Sequence, residues 1–165
     1  MILIGFSTKI IDNKTRQVVG MTTRLGSLFY DIITDMEEKR FDEWMKQKEH
    51  LHSTGGIPVI KEGEVWWCGI GENVGVEING KNELFSRPVV IIKKLSRYGF
   101  LGVPLTSQNH SGSWYAPFEF KNKTQYAALA QVRVMSVSRL YKRMGTIPES
   151  DLDIIKTGLR ELYFG

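Results

Sequence analysis

The chain has 165 residues, 42% of them hydrophobic and 24% charged, with a formal net charge of +4, the profile of an ordinary globular protein large enough for one core. No apolar run approaches the ~18 to 20 residues of a membrane span, and the amino-terminal "MILIGF" is short and lacks the basic flank of a signal peptide, so no membrane association and a cytoplasmic location are expected. The single cysteine, Cys68, excludes an internal disulfide and a cysteine-cluster metal site; with no histidine near it in sequence, it reads as a small buried hydrophobe.

In chain order, "LIGFSTKII" and "RQVVGMTTR" flank the polar "DNKT" and predict a hairpin. Ser27 then caps a helix running to about Leu51, with Leu28, Phe29, Ile32, Ile33, Met36, Trp44, Met45 and Leu51 forming an apolar stripe at three- and four-residue steps. His50 and His52, isolated at its end, read as surface residues. Gly55-Gly56 mark a boundary, dividing an amino-terminal extension (1–56) from a second domain (57–165).

From Lys61 the signals change to strands. "EVWWCGI", "RPVVIIKK", "GFLGVPLT", "SWYAPFEFK" and "YAALAQVRVMS" are short, rich in β-branched and aromatic residues, and separated by Gly, Asn and Ser clusters, which predicts a small, strongly bent antiparallel sheet or barrel. Alternation sets Trp114, Ala116, Phe118 and Phe120 on one face. "SVSRLYKRMG" reads as one or two helical turns ending at Gly145. "PESDLDIIKTGLRELYF" reads as an amphipathic helix with Leu152, Ile155, Leu159 and Leu162 inward and acids in its first turn. "GIGENVG" lacks the lysine and spacing of a phosphate-binding loop.

The charge is unevenly distributed. Arg87 through Arg143 contains ten bases and one acid, Glu119, whereas the remainder carries twelve bases and seventeen acids. The same interval holds eight aromatic residues between Tyr98 and Tyr141, and bases interleaved with aromatics suit single-stranded nucleic acid, charge for phosphates and flat faces for stacking; alternation equally allows several of these rings to be core.

The pieces "GEVWWCGIGENVGVEINGKNELFSRPVVIIKK", "GVPLTS" and "AQVRVMSVSRLYKRMG", followed by a closing helix, resemble in order and spacing the MazF/PemK family of type II toxins, from about Lys61 to Phe164. The resemblance implies an α+β fold, a small SH3-like antiparallel β-barrel with flanking helices, to which this chain adds an N-terminal helical extension. It further implies a homodimer, cleavage of single-stranded RNA with no metal or other cofactor, and a cognate antitoxin protein as partner. On the matching positions, Arg87 of "RPV" is an active-site cation for the scissile phosphate, Thr106 of "PLTS" an active-site hydrogen-bond donor, and Glu77 of "VGVE" the base for the ribose 2′-hydroxyl. Gln131 and Arg133 of "QVR" line the RNA groove, with Lys93 and Lys94 as further RNA-binding residues. Ile78 stands where relatives commonly have glutamine and Ala130 where they often have an acid. Two alternatives therefore remain open, a catalytically degenerate RNA-binding relative and a gyrase-directed protein-binding toxin of the same fold.

Overall fold

The computed structural model describes residues 39–165, of which 40–165 form one compact unit. The expected hairpin and the part of the first helix before residue 39 lie outside the described residues. The elements are α1 (Phe41–Thr54), β1 (Glu64–Gly69), β2 (Ser86–Lys94), β3 (Gly99–Thr106), β4 (Tyr115–Phe120), β5 (Lys123–Ala128), β6 (Arg133–Ser136), β7 (Leu140–Thr146) and α2 (Glu149–Phe164). All seven strands join one antiparallel sheet in the order β4-β5-β3-β2-β1-β7, with β6 paired to β3 off this path. The two ends of this order do not pair with each other, so the sheet bends without closing into a barrel. With its two described helices it is an α+β fold. Register shifts in the β1–β7 and β2–β3 ladders supply local bends of the kind an extra residue produces.

Strand β2 explains the uninterrupted run Val89-Val90-Ile91-Ile92. Val90 and Ile92 enter one core with Val65, Val103, Leu105, Phe118 and, from α2, Leu152 and Ile155. Val89 and Ile91 enter a second core on the opposite face with Cys68, Ile70, Phe100, Met135 and Leu140. A strand buried on both faces needs apolar residues at every position, whereas half-buried β4 alternates. Gly102 of β3 lets the second core close: a Cβ there would stand 2.7 Å from both the Met135 Cε and a Val89 methyl. A two-residue turn with Lys121 and Asn122 at φ 55° and 59° joins β4 to β5, backbone values suited to a hairpin's twist.

A third, smaller core joins Trp44 and Leu51 of α1 to Phe85, with the rings of Trp44 and Phe85 5.6 Å apart and tilted at 53°. Helix α2 follows its expected pattern, with Leu152 and Ile155 buried and Leu159 and Leu162 packed at the margin of the first core.

Four local expectations are corrected. "SRLYKRMG" is not helical: after a single 3-10 turn at Val137–Arg139 it forms β7, because pairing from Leu140↔Cys68 to Thr146↔Glu64 satisfies the free edge of β1. "YAALAQVRVMS" is not one strand but β5, a 3-10 turn at Leu129–Gln131, and β6. Trp114, one residue ahead of β4, is 63% exposed rather than inward, and Met45 is 55% exposed although Trp44 and Leu51 of the same helix are buried.

Candidate functional site

Arg87 occupies the second position of β2, directly across from Cys68 of β1. The β2–β3 ladder ends at Val89 and Pro104, so Arg87 and Thr106 each lie two residues beyond its last pair, at neighbouring ends of adjacent strands. Thr106 in turn pairs with Tyr126 of β5, and Tyr126 with Pro117 of β4. Two short rows therefore meet here, Cys68 and Arg87 over β1 and β2, and Thr106, Tyr126 and Pro117 over β3, β5 and β4.

Arg87 is half-buried and its Nε donates to the Asn79 carbonyl. Burial lowers its pKa, and the Tyr115 phenol opposes that shift; a guanidinium, whose ordinary range lies far above neutral pH, stays charged. Thr106 is buried, and its Oγ1 accepts from the Gln108 N–H at 3.2 Å, leaving its O–H to donate. His110, four residues on, stacks on Tyr115 at 4.2 Å with 7° between the rings and meets the edge of Tyr126 at 6.5 Å.

The β1–β2 loop forms the other wall. Asn73 is its internal brace: its N–H donates to the Asn79 Oδ1 at 2.7 Å and its Nδ2 to the Ile78 carbonyl at 2.7 Å. Gln131 clamps the loop from outside, its Oε1 accepting from the Ile78 N–H at 3.0 Å and its Nε2 donating to the Val76 carbonyl at 3.2 Å. Glu77 is exposed near the loop tip, with only a long 3.4 Å contact from the Val74 N–H to its Oε2. Ile78 turns inward against the second core, and Ala130 is exposed on the 3-10 turn.

Two further arginines converge on the end of β1. Arg133 donates to the Ile70 carbonyl at 2.8 Å and Arg139 to the Gly69 carbonyl at 2.9 Å. Burial and then the Arg139 charge lower the pKa of Arg133, with Cys68 and Glu77 opposing. At this end, then, Arg87, Arg133 and Arg139 all rest on backbone carbonyls, and among the described residues none has a carboxylate within ion-pair distance.

Lys93 and Lys94 are not brought to this site. They lie at the far end of β2, six or more extended residues and roughly 20 Å from Arg87, where Lys93 pairs with Glu62 at 3.0 Å and holds that carboxyl below its usual range. At the same end Arg143 pairs with Glu64 at 2.8 Å. Within the basic interval, Lys93 and Arg143 are thus paired with acids, whereas Arg87, Arg133 and Arg139 have no carboxylate partner among the described residues.

Cys68 is fully buried, and burial pushes its thiol up to about 12 against the pull of Arg139 and Arg133, so it packs as a neutral side chain. Among the described residues no group of three His, Cys, Asp or Glu side chains has metal-site spacing, and no helix is long and apolar enough to cross a membrane. Sequence reasoning missed Asn73, Asn79, Arg139 and the His110–Tyr115 stack as parts of the site. The available signal was their polarity within a segment already singled out for charge and aromatics.

The chain is thus an α+β protein built on an open, bent antiparallel sheet, with Arg87 and Thr106 on adjacent strands at one end. The chain matches, over residues 61–163, the family described as PemK-like, MazF-like toxin of type II toxin-antitoxin system, and it belongs to that family. Among solved structures it is similar to an endoribonuclease in complex with its cognate antitoxin from a mycobacterial species, at 16% identity over 65% of this chain and 98% of that one, TM-score 0.51. It is likewise similar to MazF from Deinococcus radiodurans, at 15% identity over 64% of this chain and 96% of that one, TM-score 0.51. At these identities the likeness is one of fold. No curated protein sequence matches the chain significantly.

Proposed function

We propose that this protein is a toxin-type endoribonuclease that cuts single-stranded RNA by attack of the ribose 2′-hydroxyl on the adjacent phosphate. The observation that carries this reading is the placing of Arg87 and Thr106 on adjacent strands at the end of the sheet where three guanidiniums have no carboxylate partner among the described residues. A polyanion supplies the missing charge. The Arg87 fork holds two oxygens of the scissile phosphate as negative charge grows in the pentacoordinate transition state, and the Thr106 hydroxyl donates to the same group. Glu77, exposed on the braced loop, removes the 2′-hydroxyl proton as the 2′-oxygen bonds to phosphorus; the P–O5′ bond breaks and the departing 5′-oxygen takes a proton from water; Gln131 fixes the loop that presents Glu77, and Arg133 binds the RNA chain.

Incubated with mixed-sequence single-stranded RNA in the presence of EDTA, the protein is expected to yield discrete fragments ending in a 2′,3′-cyclic phosphate and a 5′-hydroxyl. Intact RNA, or cleavage only with added magnesium, would overturn the mechanism.

The protein acts as a homodimer held in check by a cognate antitoxin. An apolar groove between the sheet and α2, with Ile92, Leu101, Val132 and Leu159 in its walls and Phe164 88% exposed at its rim, supports a surface that another chain covers. Light scattering at micromolar concentration should return twice the chain mass; a monomer mass would remove the dimer from this reading.

A further inference from the structure

A second, smaller cavity of about 230 Å³ opens between α1 and β6, behind the β1–β2 loop. Its polar lining is Lys48 of α1, Asn73 of the loop, Arg133 of β6 and Arg139, with Trp44 forming one wall. The guanidinium of Arg139 lies 5.5 Å from the Trp44 ring, and that ring packs so closely on the loop that any side chain at Gly71, whose φ is +99°, would strike it. The walls are therefore held in place. Arg133 is held by the Ile70 carbonyl through one terminal nitrogen. Two guanidiniums and an ammonium around one cavity with no acid in its described lining are an arrangement that an anion completes.

We propose that this cavity is a phosphate subsite that holds a backbone phosphodiester of the RNA chain away from the cleaved bond. This rests on the reading of the protein as an RNA-cutting toxin and extends it. Arg133 and Arg139 descend from β6 and the turn after it, whereas Lys48 and Trp44 come from α1, which precedes the family-matched residues 61–163. The helix thus adds a contact to the nuclease domain. Arg133 also feels the charge of Glu77, and Asn73 braces the loop that carries Glu77, so the cavity and the cutting site share one structural wall. A chain whose phosphate enters the cavity is thereby kept in register with Arg87.

Lys48 is exposed on α1, so replacing it leaves the fold intact. The test is fluorescence anisotropy with a 2′-O-methylated RNA oligonucleotide, which cannot be cut, and with the corresponding dinucleotide. Lys48→Gln should weaken oligonucleotide binding about 3- to 10-fold at low salt and lower the slope of log K against log salt by ~0.7, with Lys48→Glu weakening it further. The difference between parent and variants should vanish for the dinucleotide, which is too short to occupy both sites. Equal affinities and slopes for parent, Lys48→Gln and Lys48→Glu would overturn the subsite while leaving RNA cleavage standing. A parent that neither binds nor cuts RNA would instead remove the nuclease reading itself. Inorganic phosphate that perturbs tryptophan fluorescence without competing with the oligonucleotide would mark a free-phosphate site and also overturn the proposal. Loss of polyglutamate binding, with RNA binding unchanged, would mark an acidic-protein site and do the same.

Discussion

Arg87→Ala is expected to lower the rate of RNA cleavage by ~10²-fold or more, because it removes the donor aimed at charge that appears only in the transition state. Single-turnover rates at saturating RNA isolate this effect from binding. Arg87→Lys should recover only part of the loss, since an ammonium cannot reproduce a planar two-oxygen grip. Arg87 contacts the loop through the Asn79 carbonyl alone and makes no ion pair among the described residues, so the thermal midpoint of Arg87→Ala should fall only slightly. Cleavage at the parent rate would show that the phosphate is stabilised elsewhere. A variant that fails to fold would show that the arginine holds the β1–β2 loop instead.

Phe85→Ala should produce the largest loss of stability, ~3–5 kcal/mol, which for a chain of this size lowers the thermal midpoint by roughly 10 °C. Phe85 is buried, its ring packs on Trp44, and the Arg40 guanidinium lies 4.4 Å from its centroid. Its carbonyl accepts the N–H groups of Ile70 at 2.9 Å and Gly71 at 3.1 Å, the point where the chain leaves β1 for the loop. Truncation leaves a cavity where α1, the loop and the entry to β2 meet. Cleavage should fall with stability, because Arg87 follows two residues later. Calorimetry giving a midpoint within a degree or two of the parent would show that α1 packs there without contributing to the fold.

Much of the sheet was legible because its cause is local. Alternation in β4 and the double burial of β2 are written as residue patterns, and the stripe Leu152, Ile155, Leu159, Leu162 marks α2. Strand β7 was not legible: Leu140, Tyr141 and Met144 have helical spacing, and what makes them extended is the unpaired edge of β1, more than 70 residues earlier. The same division applies to the site. Arg87 and Thr106 were named through the resemblance, and the structure places them just beyond the last β2–β3 pair, Arg87 across from Cys68 and Thr106 across from Tyr126. The charge count could not distinguish arginines seated on carbonyls from lysines paired with acids, because Glu62 and Glu64 lie outside the basic interval in sequence but meet Lys93 and Arg143 in space. Likewise Gln131 read as a groove residue, yet both atoms of its amide are engaged by the loop backbone, a role that depends on a contact across more than 50 residues.

The separation of paired from unpaired cations along β1 has a consequence for encounter. With Glu62 and Glu64 at one end and, at the other, three guanidiniums without a carboxylate partner among the described residues, the unit 40–165 carries its positive charge unevenly. A polyanion's field exerts a torque on such a body over about a Debye length, roughly 10 Å at moderate salt, before any contact forms. With RNA as the proposed substrate, the guanidinium end is expected to lead, and orientation, more than attraction, is what this charge distribution contributes to the approach.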